Sequence, residues 1–144
     1  MQFVGLKPLR PQLPTIEIES SLGSLDLHND AVLREITYDF SGRVLRLAWT
    51  IKQPAWTVPH APEPEDRPTW SSAVLVLSGV RALVFEGYLA IDSDNEAGTL
   101  DHFEYHHITP GLGEVRFVFT HDAEITVKAS RCELLLYQSL RAEG

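Results

Sequence analysis

The sequence predicts an all-β, mainly antiparallel fold: a β-sandwich or partly closed barrel of about seven to nine strands. Two segments form hairpins when their apolar positions are paired, and short apolar runs recur at fairly even spacing. No amphipathic helix of useful length is present. The length of 144 residues and the hydrophobic fraction of 44% fit one globular domain.

We divide the chain into an extended N-terminal arm (1–14), a single β domain (15–138) and a C-terminal tail (139–144). Prolines interrupt the arm, so we expect it to be solvated or packed on an edge. The segment 15–19 alternates β-branched and polar residues, which predicts a short strand. The segment 20–30 is polar and turn-rich.

The central prediction is a hairpin over residues 31–51. Its apolar residues fall mostly on even positions of the first strand and on odd positions of the second, namely Val32, Ile36, Tyr38, Phe40, Leu45, Leu47, Trp49 and Ile51. A two-residue Ser41-Gly42 loop places Ile36 opposite Leu47 and brings both sets to one face. A register slip of one residue would separate them.

A proline-rich loop follows at 52–70. Its five prolines exclude a helix and disfavour a paired strand. Trp56 and Trp70 flank it, and two interpretations remain open. Each indole anchors one end of the loop on the sheet, or together they form an exposed aromatic surface for a partner or ligand.

Residues 72–77 and 81–89 read as strands around Ser78-Gly79, a turn or a bulge. The next segment, 92–98, is an acidic loop that carries Asp92, Asp94 and Glu96. Residues 100–109 form either a strand or a short helix capped by Thr99.

A second hairpin is predicted over residues 115–129. With a three-residue loop at 121–123, Phe117 lies opposite Val127 and the apolar residues of both strands share one face. The run 132–137 supplies the last strand. Within it, the single cysteine, Cys132, is interpreted as a buried small hydrophobic residue.

The one candidate metal site is the group His102, Glu104 and His106. On a strand, these residues share one face, and two imidazoles with a carboxylate are a known ligand set for Zn or Fe. Three such positions span about 13 Å along a strand, so neighbouring pairs alone could share one ion. The alternative is a set of solvated or hydrogen-bonding polar side chains.

Two other polar groups are weaker candidates. Asp26, His28 and Asp30 alternate in a turn-rich segment, where such residues usually satisfy local backbone groups rather than act as a general base. The loop 92–98 lacks the glycine and the final glutamate of an EF-hand calcium loop.

Composition limits the function classes. The formal net charge is −8, with no basic run, which argues against nucleic acid or anionic membrane as a partner. None of the common nucleotide-binding, nucleophile or metalloprotease motifs occurs, so we expect no cofactor and favour a protein that is not an enzyme. A single cysteine and the lack of a signal-peptide core predict a cytoplasmic protein.

The run LHNDAVLREITYDFSGRVLRLAW (27–49), with Leu77-Ser78-Gly79-Val80 later in the chain, resembles the opening of small bacterial β-rich domains. Some of these look like immunity-type partners of bacterial toxins. Asn29 stands where the L-H-D form of that motif has an acidic residue. The resemblance implies a β-rich interaction domain and carries over no catalytic residue.

Three hypotheses follow. The first is a noncatalytic module that presents an acidic or aromatic surface (Trp56, Trp70, Asp92, Asp94, Glu96) to a basic protein partner. The second is a small metal-binding protein or enzyme using His102, Glu104 and His106 with Zn or Fe. The third is a small-ligand barrel with Trp49, Trp56 and Trp70 at its mouth. The sequence leaves the oligomeric state open.

Overall fold

The computed structural model describes residues 1–21, 23–52, 70–87, 99–120 and 123–138. Within these ranges the chain forms strands and no helix. The strands are β1 (Gln2–Val4), β2 (Glu17–Ser20), β3 (Gly23–Asp26), β4 (Ala31–Asp39), β5 (Val44–Ile51), β6 (Trp70–Ser78), β7 (Ala82–Glu86), β8 (Leu100–Thr109), β9 (Leu112–Phe119), β10 (Glu124–Ala129) and β11 (Arg131–Gln138). None of the described elements is a helix that could cross a membrane.

The strands form three sheets. A five-stranded sheet has the order β1-β11-β6-β5-β4, a four-stranded sheet the order β7-β10-β9-β8, and β2 pairs with β3 in a small third sheet. All pairings are antiparallel except that of β1 with β11. The predicted all-β fold is therefore confirmed, as a sandwich rather than a closed barrel. Two strands were not predicted: β1 in the N-terminal arm and β3 in the segment interpreted as turns.

One hydrophobic core lies between the two large sheets. Trp49 and Leu47 from β5 and Phe103 and Phe117 from the four-stranded sheet are each at most 1% exposed. Edge-to-face contact between Phe3 of β1 and Tyr105 of β8, with ring centroids 5.3 Å apart, joins the two sheets directly. Ile18 and Leu25 of the small sheet belong to the same core.

The hairpin predicted over 31–51 is confirmed in its register near the turn. Ile36 pairs with Leu47 and Tyr38 with Leu45, as the alternation requires. The loop itself is longer than two residues and runs through Phe40 to Arg43. Phe40 is therefore 84% exposed, and its predicted place on the apolar face is wrong.

The start of β4 departs from the prediction because of a β-bulge. Leu33 pairs with Trp49 and Glu35 with Ala48, so Arg34 is one residue too many for the partner strand. The extra residue turns Leu33, rather than Val32, into the core. The bulge thus brings odd positions before it and even positions after it to the same face.

Asp39 organises the loop of this hairpin. Its carboxylate accepts hydrogen bonds from the backbone amides of Ser41 (3.1 Å) and Gly42 (3.0 Å), and from the Ser41 hydroxyl (3.0 Å). The bond from Gly42, followed by that from the Ser41 side chain, lowers the pKa of Asp39. The loop therefore favours the ionised carboxylate.

The second hairpin pairs two residues away from the predicted register. Phe117 lies opposite Ile125, not Val127, and Val115 lies opposite Val127. A shift of two residues keeps every side chain on its own face, because strand side chains alternate with a period of two. The predicted core face of β9 and β10 is therefore present despite the wrong register.

The chain passes between the large sheets twice at one place. Ser78-Gly79 leads from β6 in one sheet to β7 in the other, and Ser130 leads back from β10 to β11. Ser130 donates hydrogen bonds to the Ser78 carbonyl from its backbone amide (3.1 Å) and its hydroxyl (3.3 Å). Gly79 has φ +63°, and a Cβ there would overlap the Ser130 side chain. Both features favour glycine at the crossing.

Removing the ring of Phe117 tests the position of the core. Phe117 is 1% exposed and stacks on Phe103 with centroids 6.0 Å apart. We expect Phe117→Ala to lower the free energy of unfolding by about 3–5 kcal/mol in urea titrations. Phe40→Ala, at an exposed ring of the same size, is the control and should change it by no more than about 0.5 kcal/mol. Equal effects of the two changes would contradict this core.

Candidate functional site

The candidate metal ligands lie on the solvent face of β8. The structure confirms that 100–109 is a strand, with Phe103 and Tyr105 directed into the core. His102, Glu104 and His106 occupy the alternate positions and are each partly exposed. The predicted sidedness of this strand is therefore correct.

Glu104 is the centre of a charge network on this face. Its carboxylate lies 3.7 Å from His102 Nε2 and 3.2 Å from His106 Nε2, on opposite sides along the strand. Arg116 of β9 donates to the same carboxylate at 3.5 Å and also lies 3.4 Å from Glu124 of β10. One guanidinium thus links glutamates on two other strands.

This geometry makes Glu104 the bridge between the two imidazoles. Arg116 also places a permanent positive charge beside the carboxylate that a metal cation would use. Among the described residues, no group of three or more His, Cys, Asp or Glu side chains is arranged to hold a metal ion. What the arrangement provides directly is a set of ion pairs that joins β8, β9 and β10.

We call the solvent-facing side of the four-stranded sheet the acidic face. Strand register places four glutamates, one arginine and one lysine there: Glu86, Glu104, Glu114, Glu124, Arg116 and Lys128. Arg116 is engaged by Glu104 and Glu124. Glu86, Glu114 and Lys128 form no ion pair within 4.0 Å with a described residue. Charge on this face is therefore incompletely paired, with carboxylates in excess.

The strand β7 forms an edge of this sheet that the sequence did not reveal. Val84 and Phe85 are each 48% exposed, although they lie on opposite sides of the strand. The alternation in 81–89 predicted a strand but could not show that, among the described strands, only β10 pairs with it. That information lies in the sheet order, which depends on contacts distant in sequence.

Asp26 serves the local backbone, and His28 contacts a backbone carbonyl that is distant in sequence. Asp26 accepts hydrogen bonds from the amides of His28 and Asn29, both at 2.8 Å, and His28 Nδ1 lies 2.6 Å from the carbonyl oxygen of Leu100. Burial, followed by the charge of Asp26, raises the pKa of Asp30, while Lys52 opposes the shift. The predicted role in satisfying local backbone groups is therefore confirmed for Asp26.

Cys132 is 2% exposed, and burial raises the pKa of its thiol to about 12. A thiol in this setting is almost entirely protonated at neutral pH, so it lacks the thiolate that a nucleophile needs. The interpretation of Cys132 as a buried hydrophobic residue is confirmed.

The remaining candidates from the sequence lie mostly outside the described residues. Trp56, Asp92, Asp94 and Glu96 all do, and for Trp70 the structure describes only the backbone, which begins β6 opposite Gln138. Trp49, proposed for the mouth of a ligand barrel, lies in the core between Leu33 and Ala73 of the neighbouring strands.

Comparison of the chain with protein-family models, curated proteins and solved structures finds no match. The acidic face and the exposed edge must therefore be interpreted from their own chemistry.

The metal hypothesis makes a direct prediction for His102, Glu104 and His106. If these residues bind Zn or Fe, protein purified without an affinity tag will contain nearly one metal per chain in elemental analysis. The variant His106→Ala should then lose it, because a site that loses an imidazole ligand loses most of its metal affinity. His107→Ala, at an exposed histidine outside this group, is the matched control. Metal-free wild-type protein would contradict the hypothesis.

Proposed function

We propose that this chain is a noncatalytic, cytoplasmic protein-interaction module that binds a basic protein partner through the acidic face. The observation that carries the proposal is the excess of glutamates over cations on one exposed sheet surface. Arg116 engages Glu104 and Glu124, whereas Glu114 forms no ion pair with a described residue. The lysine or arginine side chains of a partner would form ion pairs with the glutamates that Arg116 does not engage.

The charge of the whole chain favours the same class of partner. A net charge of −8 attracts a basic protein over distances comparable with the Debye length, about 8–10 Å at physiological salt. Such attraction raises the association rate and falls as salt is added. In the sequence, Asp92, Asp94 and Glu96 add three further carboxylates between β7 and β8, outside the described residues.

Two apolar side chains also lie on the acidic face. Val84 of β7 and Val118 of β9 alternate with the charged residues, and Val84 is 48% exposed. Protein interfaces commonly surround a few apolar contacts with polar and charged groups. The resemblance to immunity-type domains would make the partner a bacterial toxin, and a toxin gene beside the gene for this chain would support that version.

Site-specific photocrosslinking tests the proposal in the cells that produce the protein. A photoreactive amino acid at Thr126, near the centre of the acidic face, should give one crosslinked protein with a basic isoelectric point. The same amino acid at Thr37, on β4 of the other sheet, is the control. Equal crosslinking from both positions, or none from Thr126, would contradict the proposed surface.

The captured partner can then be tested for electrostatic attraction with purified proteins. We expect Glu114→Lys, and reversal of Asp92, Asp94 and Glu96, to slow association by roughly ten-fold or more at low salt. Glu35→Lys changes the net charge by the same amount as Glu114→Lys, but it lies on β4 in the other sheet. An association rate that is insensitive to salt and equal in these variants would refute the proposal.

A further inference from the structure

Among the residues that the structure describes, the strand β7 is an open sheet edge, since it pairs there with β10 alone. Val84 and Phe85 are each 48% exposed, and Glu86 is the one charged residue among its five. Exposed edges with apolar side chains are templates for pairing with another strand, and soluble proteins usually protect them.

Two other edges in the described part of the chain, those of β8 and β4, are protected. The edge of β8 accepts Gln12 and Thr15, whose amides donate to the carbonyls of Tyr105 (2.9 Å) and Phe103 (3.0 Å). The edge strand β4 carries a bulge at Arg34 and several charged side chains. A covering segment, a bulge and charged side chains are each known to block the addition of another strand. In the described part of the chain no segment covers the edge of β7, which has no bulge and carries one charged residue, Glu86.

We infer that β7 pairs with β7 of a second copy of this chain, antiparallel and centred on Val84. This register places Val84 opposite Val84, Leu83 opposite Phe85, and Ala82 opposite Glu86 of the second copy. Because the pairing has two-fold symmetry, each contact between two different residues occurs twice, as in a closed two-fold dimer. The two four-stranded sheets would become one continuous sheet.

Charge complementarity supports a second copy of this chain as the partner of β7. Within one copy, Glu86 lies directly opposite Glu124, a like-charge pair that opposes folding. In the dimer, Glu86 lies opposite Ala82 of the second copy, and Lys128 is the next residue beyond that Ala82. Lys128 is exposed and has no ion pair with a described residue.

The distances allow this contact. Neighbouring strands lie about 4.8 Å apart, so Glu86 and Lys128 would be anchored on backbones roughly 10 Å apart. The small side chain of Ala82 lets the two long side chains meet above it. The ion pair would form twice by symmetry. Each Glu86–Lys128 ion pair uses one glutamate and one lysine, so the excess of glutamates on the acidic face stays the same.

Light scattering after gel filtration tests this inference with the purified protein alone. One chain has a mass of 16.2 kDa, and we expect twice that mass as concentration rises. Loading from about 1 µM to about 500 µM in roughly 0.15 M salt covers dissociation constants typical of modest dimers. Because no partner is present, failure here leaves the proposed function untouched.

Two variants on the edge and one control locate the interface. Val84→Lys and Phe85→Lys each place a charge at the centre of the pairing, and each should raise the dissociation constant about ten-fold or more. Thr37→Lys, on the edge strand β4, should leave it unchanged. Circular dichroism melts identify variants that keep the wild-type fold, and the comparison uses those.

A charge swap tests the register. Glu86→Lys or Lys128→Glu alone should raise the dissociation constant roughly two- to five-fold, and the double variant should recover most of that loss. A wild-type protein that stays at 16.2 kDa throughout would overturn the inference. A dimer unaffected by Val84→Lys, or a double variant no better than the single changes, would overturn the proposed pairing.

Discussion

The fold depends on one constraint: each strand of the two large sheets must turn its apolar side chains toward a single interior. Strand β4 meets this requirement only through its bulge, since its apolar residues change from odd to even positions along the strand. Arg34 absorbs the change, so that Leu33 lies opposite Trp49 and Ile36 opposite Leu47. The crossing at Gly79 and Ser130 then holds the two sheets together where the chain passes between them.

Alternation in the sequence was enough to predict the fold class and the buried faces of both hairpins. It predicted the first register correctly near the turn, because an error of one residue there would have exposed the core. It missed the second register because a slip of two residues leaves each side chain on its own face, and Phe117 is buried either way. The bulge was not predicted, because a single inserted residue leaves no periodic signal in the sequence.

The functional surfaces were harder to predict, for a related reason. Periodicity showed which side of β8 carries Glu104, but not that Arg116 of another strand would bind it. It indicated a strand around Val84, but sheet order alone makes that strand an edge. Both properties arise from contacts between segments far apart in the chain. As a result, the sheet has a face on which Glu86 and Glu114 form no ion pair with a described residue, and an edge strand with exposed apolar side chains.

Deleting Arg34 tests the central constraint most directly. Without the extra residue, either Leu33 or Ile36 must leave the interior, so we expect the deletion to lower the free energy of unfolding by about 3 kcal/mol or more. Arg34→Ala keeps the residue count and should change it by no more than about 0.5 kcal/mol. Urea unfolding of the two variants beside the wild type gives both values. A deletion variant as stable as Arg34→Ala would show that the core does not depend on this bulge.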